Sequence, residues 1–302
     1  MNKPNFFIVG AAKCGTTALS EYLRQHPLIH MSWPKEPHYF AFDLENYRYP
    51  KNEDEYLNLF SEADKNTLIF GEASVFYLYS EVALIEIKKL YPDAKIVVLF
   101  RNPVDMLYSL HSQLLYSRDE NVENFNKAWD LCESRKQGKK IPKHCREQKI
   151  LYYDELAKFG AQYQSLIDVF DQDQIKVFLF DDFVKDSKKV YESIVDFLGL
   201  EKDNRVEFKK VNERRGHKIK WLSNLTQRPP TGFSFVIKFI KKTLGIKRIG
   251  VLDYLRRKNL TTKPREKISN NLKNKITEHY RSDISKLSKL IDRNLDHWMD
   301  EK

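Results

Sequence analysis

Cysteine is scarce in this chain and none of it is paired. Cys14, Cys132 and Cys145 are an odd number at unrelated spacings, which argues against a disulfide framework or a CxxC redox or metal site and leaves reduced thiols as the simple reading. His144 stands beside Cys145, but no second cluster of ligands exists with which to close a structural zinc site. Long apolar runs are missing as well: none approaches the roughly 18 residues of a membrane span. The opening run Phe6-Phe7-Ile8-Val9 is too short for a signal-peptide core and leads into a glycine turn, not a cleavage site. With no export signal and no span, a cytoplasmic location is the expectation. Internal repeats and low-complexity tracts are absent too.

What is present is a normal globular mixture, with 41% hydrophobic and 31% charged residues over 302 positions, enough to bury a core without covalent staples. The formal net charge of +10 implies attraction to polyanions: nucleic acid, an acidic surface, acidic glycans, or a nucleotide with several phosphates. Charge alone does not choose among these.

Three short apolar runs, Phe6 to Val9, Lys95 to Phe100 and Ile175 to Phe180, read as buried strands, each followed by a segment of helical spacing. Thr17 to Leu23 follows the first. Val104 to Tyr116 follows the second, with Pro103 near its first turn, and a stretch closing at Phe197-Leu198-Gly199 follows the third. The alternation predicts an α/β fold, a P-loop-like parallel sheet with helices on both faces, whose ligands bind beyond the carboxyl ends of the strands. Lys263 to Trp298 reads as a helical C-terminal extension, with Ile276, Tyr280, Ile284, Leu287, Leu290, Ile291 and Leu295 at helical spacing. Residues 233–259 are basic and amphipathic; a helix packed on the domain is the expectation and contact with a membrane surface the alternative. One domain over residues 1–302 accommodates all of this.

Gly10-Ala11-Ala12-Lys13-Cys14-Gly15-Thr16-Thr17 carries the first chemistry. A strand that runs through a glycine turn into a helix offers backbone N–H groups and the positive helix end to an anion, and Lys13, Thr16 and Thr17 add a cation and two hydroxyls. It departs from the nucleotide-triphosphate loop GxxxxGK[ST], because Lys13 precedes Gly15. The strand that in a kinase or NTPase ends in a magnesium-holding carboxylate here ends in Arg101. A guanidinium repels Mg²⁺ and grips phosphate, and Ser109 on the following helix can assist. Two separate anion grips point to a donor with phosphates at two ends. The other readings are a kinase or NTPase with a degenerate loop, and a non-enzymatic polyanion-binding protein.

Lys13-Cys14-Gly15-Thr16-Thr17 followed by a helix resembles the 5′-phosphosulfate loop of PAPS-dependent sulfotransferases, and Ile96 to Ser109 is similar to their 3′-phosphate motif of strand, arginine, helix and serine. Between them, Lys35-Glu36-Pro37-His38-Tyr39-Phe40 is similar to the segment carrying the catalytic carboxylate in the heparan sulfate type and its bacterial relatives, and Glu72 to Tyr77 to the segment that follows it. The resemblance implies a sulfotransferase that moves a sulfuryl group from PAPS to a hydroxyl or amine, most simply of a glycan, and releases PAP without a metal. In that reading Lys13 stabilises the leaving group, Lys13 to Thr17 (with Cys14, Gly15 and Thr16) hold the 5′-phosphate, and Arg101 and Ser109 hold the 3′-phosphate. Arg214, Arg215 and Gly216 resemble the late basic loop that closes over the nucleotide. No nucleic-acid partner is implied.

Glu36 and His38 are the two candidates for the base that takes the acceptor proton. One residue apart, they would share one side of an extended segment; the resemblance favours Glu36. His111, near Ser109, is a further candidate. Two departures from the heparan sulfate type stand out: Ala73 and Val75 replace a lysine and a proline, and the late cysteine pair is missing.

Overall fold

A computed structural model describes residues 2–208, 216–217, 260–261 and 268–300. Its centre is a five-stranded sheet of β1 (Phe6–Gly10), β2 (Ile29–Met31), β3 (Ile69–Ala73), β4 (Lys95–Phe100) and β5 (Ile175–Leu179), in the order β2-β3-β1-β4-β5. Every pairing in it is parallel. All of β1 and β4 from Ile96 onward are buried, as expected of apolar strands covered on both faces. A second, two-stranded antiparallel ribbon pairs β6 (Gly216–His217) with β7 (Leu260–Thr261).

Strand order and the right-handed crossover rule distribute the helices. The chain leaves β1 through α1 (Thr16–Leu23) toward β2 on one side, then returns past β1 through α3 (Ala83–Leu90), preceded by the short α2 (Glu53–Leu57), to reach β4. From β4 it continues outward to β5 through α4 (Pro103–Ser117), α5 (Phe125–Asp130), α6 (Cys132–Lys136) and α7 (Phe159–Val169). Crossovers in opposite directions place α1 and α4 on opposite faces of the sheet. Between β1 and β4 the outgoing chains diverge, which opens a crevice at their carboxyl ends.

The helix starts are written locally. Asn102 accepts from the Val104 N–H at 2.9 Å, and Pro103 opens α4. After β5 the helical stretch is broken in two: Phe180 belongs to α8 (Phe180–Lys185) and not to the strand, and Asp186 caps α9 (Ser187–Phe197) by accepting from the Lys189 N–H. The C-terminal extension is α10 (Asn270–Leu290), whose Leu272, Ile276, Tyr280, Ile284 and Leu287 are buried. It packs against α7 and α4. Asp283 on α10 caps α7 by accepting from the Gly160 and Ala161 N–H groups at 2.7 and 2.9 Å. A side chain at Gly160 would meet the Asp283 carbonyl at 2.4 Å, so the approach of α7 to α10 requires glycine. Residues 233–259, and with them the membrane-surface alternative, lie outside the described residues. No helix among those described is long and apolar enough to cross a membrane.

Candidate active site

The loop after β1 turns on two left-handed residues, Lys13 at φ 62° and Gly15 at φ 89°. Gly15 is required twice over: its φ suits glycine, and a Cβ there would press to 3.0 Å from the Phe183 ring on α8. Gly15 is also the N-cap of α1 and supplies no side-chain cap, which leaves the first-turn amides without the hydroxyl or carboxylate that would otherwise cap them. Thr16 is buried and Thr17 half-buried in that turn. Cys14 contributes its main chain only: its fully buried thiol donates to the Ala12 carbonyl, and burial pushes it up to about 12.

Arg101, at the end of β4, reaches across the crevice. Its Nη1 donates to the Lys13 carbonyl at 3.2 Å, and its guanidinium lies 4.5 Å over the Phe180 ring, with Asp105 at 3.8 Å. Ser109 and Gln113 sit one turn apart on one face of α4, and the Lys13 ammonium donates to Gln113 Oε1 at 2.7 Å. Burial, with help from Arg101 and Lys35, lowers the Lys13 pKa, while Glu36 opposes the shift. Lys13 therefore feels Glu36, Lys35 and Arg101 together.

Glu36 and His38 do meet, but not through an extended segment. Both are left-handed, with φ of 65° and 50°, about Pro37. Such turns in residues other than glycine cost about 1–3 kcal/mol each and persist where the surroundings enforce them. Lys35 Nζ donates to Glu36 Oε1 at 2.8 Å, and Glu36 Oε2 lies 3.5 Å from His38 Nε2. Burial alone would raise the Glu36 pKa. Lys35 and His38 overcome it and hold the carboxyl well below the usual carboxylate range. The imidazole is 1% exposed, and apart from the 3.5 Å approach of Nε2 to Glu36 its ring nitrogens have no hydrogen-bond partner among the described residues. Phe76 and Tyr47 wall it in at ring distances of 5.5 and 5.8 Å. Behind Tyr47, Arg146 lies 4.2 Å over the ring and pairs with Asp119 at 2.6 Å.

The sequence-predicted residues Lys13, Cys14, Gly15, Thr16, Thr17, Arg101, Ser109, Glu36 and His38 thus gather at the carboxyl edge of the sheet. His111 does not join them: it is fully buried, with Nε2 2.8 Å from the Val122 carbonyl and its ring against Phe125. Arg214 and Arg215 lie outside the described residues, and of Gly216 only its place in β6 is described. Sequence reasoning missed Gln113, Lys35 and Tyr47. Gln113 was findable, since it follows Ser109 by one helical turn, and Lys35 adjoins Glu36; no local signal marks Tyr47. Among the described residues, no three His, Cys, Asp or Glu side chains are grouped so as to hold a metal ion.

A parallel sheet with an uncapped helix end after one central strand and an arginine after the next fits an anion-binding site at the carboxyl edge. Comparison with known proteins makes that specific. The sulfotransferase-domain family model matches residues 3–288, and the chain belongs to that family. It is 26% identical to a sulfotransferase from Alicyclobacillus acidocaldarius of known structure, with a TM-score of 0.73 over 99% of this chain and 100% of the other. It is 31% identical over 149 residues to human carbohydrate sulfotransferase 15, and 35% identical over 108 residues to human bifunctional heparan sulfate N-deacetylase/N-sulfotransferase 2. Each match takes in 35% of this chain but only 26% and 12% of those longer proteins.

Proposed function

We propose that this sulfotransferase moves a sulfuryl group from PAPS to a hydroxyl or amine of an acceptor, most simply a carbohydrate, and releases PAP. The observation that carries the reading is the Arg101 guanidinium bonded to the Lys13 carbonyl at 3.2 Å at the crevice between β1 and β4. The names of the carbohydrate and heparan sulfate relatives support a glycan as acceptor.

In this reading the amides of Gly15 to Thr17 and the Thr16 and Thr17 hydroxyls receive the 5′-phosphate, and Arg101 and Ser109 the 3′-phosphate. The bond from sulfur to the 5′-phosphate oxygen breaks as the acceptor oxygen or nitrogen bonds to sulfur. Charge then grows on the leaving oxygen, where Lys13 neutralises it after exchanging its contact with Gln113 for the phosphate. Glu36 takes the acceptor proton, and His38, whose Nε2 lies 3.5 Å from Glu36 Oε2, orients the acceptor. Glu36 is a weak base while Lys35 holds it, which suits a reaction in which the acceptor proton becomes acidic only as the new bond to sulfur forms.

The test is incubation with radiolabelled PAPS and a panel of glycans, lipids and phenols, alongside thermal unfolding with PAP in EDTA. Label transfer and stabilisation by PAP without metal are expected. Stabilisation that instead demands ATP and Mg²⁺ would sink the proposal.

A further inference from the structure

We propose that Glu72, Ser74 and Tyr77 are positioning residues for Glu36 and His38: the carboxylate of Glu72 orients two hydroxyls, and these hold the main chain of the loop that presents the base. This rests on the reading above that the loop faces the acceptor.

Glu72 lies on β3 with 0% exposure. A carboxylate in that position is costly unless its oxygens are bonded. They are: Ser74 donates to Oε1 at 2.5 Å, and Tyr56 and Tyr77 donate to Oε2 at 2.7 and 3.1 Å. Two of those hydroxyls are themselves acceptors. The His38 N–H donates to Ser74 Oγ at 2.9 Å and the Phe40 N–H to Tyr77 Oη at 3.3 Å. A hydroxyl has one proton to give. With that proton spent on Glu72, its lone pairs are turned to the loop amides, so the carboxylate fixes the direction of both relays.

Between them, the Glu36 N–H donates to the Ala73 carbonyl at 3.1 Å. Alternate loop residues 36, 38 and 40 are therefore tied to 73, 74 and 77. Tyr56 adds a brace by stacking on Tyr39, the ring centroids 4.5 Å apart. These ties explain how two residues other than glycine stay left-handed on either side of Pro37. They also bring the carboxylate of Glu36 to the imidazole of His38. Without the relays the main chain would relax toward extended geometry and swing one of the two side chains away.

Deleting one hydroxyl at a time, by Ser74→Ala and Tyr77→Phe, removes the relays with the least disturbance, while Glu72→Gln leaves shape but no longer accepts at both oxygens. Amide hydrogen exchange is followed at residues 36–40, with β1 and β4 as internal reference. Exchange in the loop is expected to rise about tenfold, the size of one lost hydrogen bond. Under radiolabelled PAPS, kcat is expected to fall by a similar factor with the Kd for PAP unchanged. The idea is overturned if loop exchange in the folded variants stays at the wild-type rate, or if it rises while kcat does not move. Glu36→Gln separates this inference from the proposed function, because it abolishes the base yet leaves the loop amides protected. Should the wild type transfer no sulfuryl group, the exchange measurement alone still decides whether these residues hold the loop. Should Glu72→Gln fail to fold, the two hydroxyl deletions carry the test.

Discussion

The loop after β1 and the loop after β2 both leave the carboxyl edge of the sheet and are held in different ways. Residues 11–17 follow directly on a buried strand and are shaped by their own glycine and by the helix they open. Residues 35–40 owe their shape to side chains from β3, the segment after β3 and α2, with Tyr47, Asp119 and Arg146 behind. The first loop offers main-chain amides, which any sequence with the same turn would present. The second offers particular side chains in a strained backbone, and its geometry depends on residues far along the chain. A nucleotide end suits the first design, since phosphates demand only donors and charge. An acceptor end suits the second, where the base must be aimed.

Substitutions can break that division or sharpen it. The largest effect is expected from Lys13→Ala, which removes the cation beside the leaving oxygen: kcat should fall at least about a hundredfold with the fold intact by thermal unfolding. Glu36→Gln should lower kcat by a comparable factor while leaving the Kd for PAP nearly unchanged. Arg101→Ala should do the reverse, weakening PAP by about tenfold to a hundredfold through loss of charge-assisted bonds. If both variants change both quantities alike, the two loops are not separate devices.

Lys35→Met tests the electrostatics of the acceptor loop. Glu36 must be ionised to take a proton, and Lys35 favours the ionised form, so its removal raises the Glu36 pKa. The acidic limb of the kcat profile should move to higher pH; an unmoved limb assigns it to another group.

The smallest effect is on stability. Burial pushes the Glu72 carboxyl up to about 7 from an ordinary 4.5, although Ser74, Tyr56 and Tyr77 pull it down. The folded chain then binds this proton more tightly than the unfolded chain. The associated stability is fully present below about 4.5 and is lost as pH rises through 7. Thermal midpoints taken below and above that window should differ less in Glu72→Gln than in the wild type, and an equal difference would assign the slope elsewhere.

The strand and helix bounds around the loop after β1 and the arginine after β4 were legible because their determinants are contiguous. Phe6 to Thr17 and Lys95 to Arg101 each state a strand, a stop and a helix start in one stretch, and the structure follows them to within a residue or two. The loop after β2 was only half legible. Glu36 and His38 were visible as residue types, and their pairing was expected from extended spacing, whereas left-handed turns bring it about. Nothing near Tyr47 announces the imidazole it touches, and Gln113, though one turn from Ser109, gives no hint of the ammonium it meets one hundred positions away.

By itself the sequence determined the parallel α/β class, the helix-opening loop with its misplaced lysine, and the arginine in place of a metal carboxylate, all properties of short segments whose periodicity and chemistry are local. Only the tertiary structure decided that Arg101 bonds to the Lys13 carbonyl, that Cys14 turns inward and His111 is buried against Phe125, and that the hydroxyls on Glu72 meet the main chain of the loop carrying Glu36 and His38. Those outcomes depend on which distant groups share a buried space, where burial raises the cost of an unpaired charge and so dictates partners that no local pattern records.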